Sequence, residues 1–112
     1  MNYKLQTLTL PKGCKILRNE FTIYDPEVDF TEERNIYYLT EDLLQLEFEH
    51  TNIVIDLGWY ENISATDGEF RIFVIQNMNW EKPLRVETSK SQKRIYKKLE
   101  MLIMEVDSIL SD

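Results

Sequence analysis

Apolar and polar residues alternate with period two through the middle of the chain. Leu44, Leu46, Phe48 and His50 alternate with Gln45, Glu47 and Glu49, the signature of a strand with one wet face. Two denser apolar runs follow, residues 53–57 and 70–75, rich in the β-branched and aromatic residues that fit a buried, pleated surface. Ile53, Ile55 and Leu57 share one face of the first run, and Phe70, Ile72 and Val74 one face of the second; Val54 and Asp56, then Arg71, Phe73 and Ile75, take the opposite faces. The twelve residues between the runs, GWYENISATDGE, hold turn-forming chemistry and predict a hairpin with a loop longer than a tight turn. The pattern predicts a three-strand antiparallel meander over residues 44–50, 53–58 and 69–76. Trp59, Tyr60 and Trp80 then fall just outside the strand ends, where a ring is half buried and half available.

The period changes near the C-terminus. Ile95, Leu99, Leu102, Ile103, Val106, Ile109 and Leu110 recur at helical spacing and form one apolar stripe. Ser89 with Gln92 reads as a capping box that starts this helix. Its bases lie in the first half and Glu100, Glu105 and Asp107 in the second, an order that opposes the helix macrodipole. Upstream the signals are weaker. Residues 3–10 alternate like an edge strand ended by Pro11 and Gly13, residues 15–22 give a faint extended pattern, and residues 86–88 add a little more extended chain. Asp25-Pro26 marks a turn, and residues 25–33 read either as a solvated loop or as a short helix capped by Asp29 or Thr31. Thr40-Glu41-Asp42 reads as a helical turn or as the lead-in to the first strand. The architecture expected is α+β, one domain over residues 1–112. In it a small antiparallel sheet, a meander of at least three strands, packs against a long C-terminal helix.

Charge is distributed unevenly. The formal net charge is −7, but residues 1–18 carry four bases and no acid, while residues 19–81 carry fifteen acids against Arg34 and Arg71. A middle that acidic repels nucleic acid and membrane phosphate and steers a cationic partner toward it. The apolar runs are far shorter than the roughly 20 residues a spanning helix needs, and the first residues lack a signal-peptide core, so a cytoplasmic location is expected.

Candidate chemistry is thin. The single cysteine, Cys14, excludes an internal disulfide and reads as an inert thiol. His50 lies 36 positions away with no motif around it and reads as a strand-end residue. Gly13, Gly58 and Gly68 are isolated, so no glycine-rich phosphate loop is present. Asp25, Glu27 and Asp29 alternate like calcium ligands, but the glycine and distal glutamate of a calcium loop are missing. The expectation is a chain that is not an enzyme and that takes no cofactor and no metal. The basic run 93–98 reads as a solvated helix face or as an internal complement to the acidic middle.

The acidic middle has two readings of equal weight: plain solubility, or a docking surface for a basic partner. On the second, the binding residues are Asp25, Glu27, Asp29, Glu32, Glu33, Glu47, Glu49, Glu61, Asp67 and Glu69, with Trp59, Tyr60 and Trp80 as aromatic anchors. The stretch IDLGWYENISATDGEFRIFVIQNMNWEKPL, residues 55–84, resembles small immunity proteins of bacterial polymorphic-toxin and contact-dependent growth inhibition systems. The matching positions are Ile55, Asp56, Gly58, Trp59, Tyr60, Asp67, Gly68, Phe70, Arg71, Trp80, Glu81, Pro83 and Leu84. Residues 1–40 fall outside the resemblance, and the loop 62–66 lacks the proline that such loops often carry. It implies a protein that binds and neutralises one cognate toxin with a basic surface, many such toxins being nucleases, as a monomer or weak homodimer. Asp56 and Arg71 then either pair across adjacent strands or join the interface. The rival readings are a regulatory adaptor module and a phage-type inhibitor that mimics DNA.

Overall fold

The alternation of residues 44–48 and the two apolar runs build the centre of one antiparallel sheet. The computed structural model describes residues 3–64 and 67–110. In chain order the elements are β1 (Cys14–Asn19), α1 (Glu32–Tyr38), β2 (Leu44–Phe48), β3 (Ile53–Ser64), β4 (Asp67–Gln76), β5 (Arg85–Ser89) and α2 (Gln92–Leu110). The five strands lie in sequence order, each antiparallel to the next. The architecture is α+β, an antiparallel sheet with a C-terminal helix against it.

Register explains the core. Leu46 pairs with Ile55 and Ile55 with Val74, while Leu44 pairs with Leu57 and Leu57 with Ile72. Rows of buried aliphatic side chains therefore cross the middle of the sheet on one face. Ile95, Leu99, Leu102, Ile103 and Val106 of α2 close over them, all buried. Each fully buried side chain of this kind contributes about 2 kcal/mol. The buried stripe runs to Val106, and Ile109 is exposed.

Three expectations are corrected and one left open is decided. The edge strand is not residues 3–10 but β1, because Cys14–Asn19 takes the place beside β2. Residues 3–10 instead make one isolated bridge, Leu5 with Thr22, and tuck Leu8 and Leu10 against the core. The twelve-residue loop is largely strand: Trp59, Tyr60 and Glu61 belong to β3, which pairs with β4 as far as Ser64–Asp67; positions 65 and 66 of the expected loop lie outside the described residues. Helix α2 is capped by Ser91, whose Oγ accepts from the Arg94 N–H at 3.2 Å. Ser89 is held in β5 opposite Phe70, and Gln92 is buried and donates to Gln6 Oε1 and the Thr22 carbonyl, both at 2.9 Å. Of the two readings of Thr40-Glu41-Asp42, the structure takes the lead-in to β2. Thr40 carbonyl accepts from the Trp59 N–H at 2.7 Å, and the Leu43 N–H donates to the Leu57 carbonyl at 3.0 Å.

This lead-in explains Gly58. A Cβ there would lie 2.6 Å from the Glu41 carbonyl carbon and closer still to its oxygen. Only glycine lets residues 40–42 cross β3 this closely.

Candidate docking surface

Residues 20–43 leave the sheet between β1 and β2 and return to it, and α1 is the ordered part of that excursion. Thr31 caps α1, with its Oγ1 accepting from the Arg34 N–H at 3.0 Å. Of the two readings of residues 25–33, the chain therefore takes both in turn: a loop to Phe30, then a helix. Asp25 is buried and caps the loop, its Oδ1 accepting from the Glu27 N–H and its carbonyl from the N–H groups of Val28 and Asp29, all at 3.0 Å.

A group of tyrosines fixes the inner side of α1. Tyr24 stacks on Tyr38 with ring centroids 5.3 Å apart, and Tyr3 meets both rings edge-on at 5.2 Å. The Tyr24 hydroxyl donates to Asn35 Oδ1, the Tyr38 hydroxyl accepts from the Tyr3 N–H at 3.2 Å, and the Tyr3 hydroxyl donates to Asp29 Oδ2 at 3.3 Å. Burial raises the Tyr24 hydroxyl above its ordinary pKa.

The outer side is different. Val28, Phe30, Ile36 and Tyr37 are 70, 48, 62 and 74% exposed. Glu32 and Ile36, and Glu33 and Tyr37, are each one turn apart, so each outward apolar side chain on α1 has a glutamate beside it. Beside Tyr37 runs a groove of about 450 Å³, whose lining includes Tyr3, Leu5, Thr22, Tyr38 and Leu43.

The thirteen expected binding residues are divided among three places. Glu27, Asp29, Glu32 and Glu33 are exposed on the excursion, with Asp25 turned inward as its cap. Glu47 and Glu49 lie toward the far end of the sheet, where the β2–β3 turn meets the exposed Trp80's connection through the Asn77 N–H on the Asn52 carbonyl, 2.9 Å. Tyr60, Glu61, Asp67 and Glu69 lie toward the tip of the β3–β4 hairpin. Trp59 is not half available: at 4% exposure it sits in the core, edge-on to Phe70 at 5.0 Å and against Gly68. Its inward phase follows from Ile55 and Leu57 once β3 continues past Gly58.

Two of the hairpin's acids are already engaged. Glu69 pairs with Arg71 at 3.0 Å and Asp67 with Lys90 at 3.7 Å, while Arg71 lies 5.0 Å from the centre of the Tyr60 ring. Asp56 and Arg71 do not pair. Register sets Asp56 opposite Phe73 and Arg71 opposite Gly58, and Asp56 takes a hydrogen bond from Gln45 Nε2 at 3.2 Å. Burial, with Asp42 nearby, raises the Asp56 carboxyl above the usual range although the Gln45 bond opposes it. Lys98 likewise meets Glu87 at 3.6 Å, so the first half of α2 complements acids of the sheet.

Other chemistry is sparse. Cys14 faces the core side opposite Phe48, and burial, then Asp107, pushes its thiol up to about 11. His50 is exposed in the β2–β3 turn with φ +66°. Among the described residues no three His, Cys, Asp or Glu side chains could share a metal ion, and no helix is long and apolar enough to cross a membrane. Comparison with protein-family models, with curated proteins and with solved structures gives no match.

Sequence reasoning missed Val28, Phe30, Ile36 and Tyr37. The signal was present: four large apolar residues placed among five acids fit neither a core stripe nor a solvated loop.

Proposed function

We propose that this chain is a cytoplasmic immunity protein. It binds one cognate toxin, a nuclease with a cationic substrate groove, and neutralises it by covering the active site or an adjacent exosite. The observation that carries this reading is the pairing of exposed apolar side chains with carboxylates that no cation among the described residues engages. Glu27, Glu32 and Glu33 make no ion pair among the described residues, and they stand beside Val28, Ile36 and Tyr37. Solubility accounts for the acids but not for the apolar residues between them. The combination of a rigid aromatic anchor and unpaired carboxylates suits fast, salt-sensitive association with a basic protein. The resemblance of residues 55–84 to immunity proteins supports the same partner class.

The test is capture of the tagged full chain from its native host at low and high salt, followed by expression of the captured protein with and without this chain. The expected result is one basic partner that is toxic alone, harmless with the chain, and released by salt. A captured partner that is harmless alone would overturn the toxin reading and favour a regulatory adaptor.

A further inference from the structure

We infer that the outward face of α1, with the groove beside Tyr37, is the docking site, and that its occupant is a basic protein segment carrying an apolar anchor. This rests on the reading above and adds the place and the partner's chemistry.

Three features select this face over the hairpin tip. The far end of the sheet, where Glu47 and Glu49 also make no ion pair among the described residues and Met78 and Trp80 are exposed, is the competitor that the test below separates. On the α1 face Glu32 and Glu33 make no ion pair among the described residues, whereas Asp67 and Glu69 already hold Lys90 and Arg71. Its apolar side chains are largely exposed, Tyr37 included although its ring meets Tyr38 edge-on at 4.8 Å, whereas Phe73 and Tyr60 on the sheet face are half buried. Its scaffold is fixed before any partner arrives, because the Thr31 cap and the tyrosine contacts hold the backbone of α1. Fixing the element in advance reduces the ordering cost of association.

The charge identifies the occupant. Glutamates beside Ile36 and Tyr37 repel phosphate and favour lysine or arginine. Apolar side chains between those glutamates call for a partner that is basic at its rim and apolar at its centre, which a protein surface supplies and nucleic acid does not. The groove is concave, and Tyr3, Leu5 and Leu43 give it an apolar part beside Asn19, Glu20, Thr22 and Thr40, so it receives the anchor while the glutamates hold the rim.

The probe is a synthetic amphipathic lysine–leucine helix, titrated into the isotope-labelled full chain and compared with polylysine of equal charge. Backbone resonances of residues 27–37, Tyr3 and Leu5 should shift, and polylysine should bind about tenfold more weakly. The double variants I36S/Y37S and E32K/E33K should each lose about tenfold or more in affinity while melting like the parent chain, and E47K/E49K should lose less than about threefold. Three results would overturn the proposal: equal binding of polylysine, shifts centred on residues 47–49 or on the hairpin tip, or concentration-dependent self-association that I36S/Y37S abolishes, which would make a second copy the occupant. The toxicity assay separates this failure from that of the function. If I36S/Y37S still protects cells, the location is wrong and the immunity reading stands; if the peptide binds as expected but the parent chain protects against nothing, the reverse holds.

Discussion

The excursion carries eight acids and the β3–β4 hairpin four over the same length of chain, and the carboxylates around α1 differ in state from those of the hairpin. On the hairpin and the strand beside it, Asp67, Glu69 and Glu87 each meet a cation of the chain, and Asp56 is turned under a glutamine. On the excursion Glu20, at its start, pairs with Arg18, while Glu27, Glu32 and Glu33 meet no cation among the described residues. The difference follows from topology. The hairpin lies beside β5 and the first turns of α2, where the bases at positions 85, 90 and 98 are concentrated, whereas the excursion leaves the sheet between β1 and β2. Acid count alone therefore says little about docking. What distinguishes the two regions is whether the fold brings a counter-charge to the acid, and whether the apolar side chains between the acids are packed.

The change expected to break both regions at once is Gly58→Ala. The added Cβ would meet the Glu41 carbonyl, so residues 40–42 must lift from β3 and the excursion loses its return anchor. A loss of about 3 kcal/mol or more is expected, read as a lower urea midpoint. An unchanged midpoint would mean that the close crossing of residues 40–42 over β3 is wrong.

That crossing also shows where the sequence was legible and where it was not. The strands at residues 44–48, 53–57 and 70–75, and the helix that covers them, were readable because their apolar residues keep one period and bury one face. β5 left only a faint extended signal. Past Leu57 the reading broke off at Gly58 and Asp67-Gly68, whose turn-like composition hides glycines chosen for close approach: a Cβ on Gly68 would lie 2.6 Å from the Tyr60 carbonyl and 2.8 Å from the Trp59 indole. Trp59 was therefore assigned to the surface when its phase places it in the core. The docking candidates were half legible. Their acids stood out, but the exposure of Ile36 and Tyr37 depends on Tyr24 and Tyr3 occupying the inner side of α1, a long-range contact that no local pattern encodes.

A smaller and more selective change is Tyr24→Phe. It removes the hydroxyl that donates to Asn35 Oδ1 and leaves that buried oxygen without this donor, costing about 1–2 kcal/mol. Hydrogen exchange should quicken across α1 while β3 and β4 keep their protection. Uniform acceleration through the sheet would show that the excursion is not a separate unit.

Asp56→Asn sharpens the other side of the comparison through pH. Burial raises the Asp56 carboxyl in the folded chain, so the folded state holds the proton more tightly than the unfolded state. The stability it contributes is complete below the ordinary aspartate range and is lost as pH rises through the raised folded value. The asparagine variant keeps an acceptor for Gln45 and should be the more stable near neutrality, with its advantage shrinking as the pH falls through that window. Melting temperatures taken across the acid range decide this, and an advantage constant with pH would assign the effect to packing instead.

The smallest effect belongs to the hairpin's ion pairs, and its smallness is informative. Lys90 and Asp67 are 59 and 40% exposed at 3.7 Å, so water screens them and the long lysine side chain loses freedom to reach the contact. A double-mutant cycle with Lys90→Ala and Asp67→Ala should give a coupling below about 0.5 kcal/mol that vanishes in high salt. Engagement at the hairpin then changes the charge the region presents far more than it changes stability, since Lys90 cancels a carboxylate that the excursion would leave bare. A coupling above about 1.5 kcal/mol would instead make the pair a structural strut joining β4 to the chain just before α2, and the contrast between the two acidic regions would be one of stability rather than of available charge.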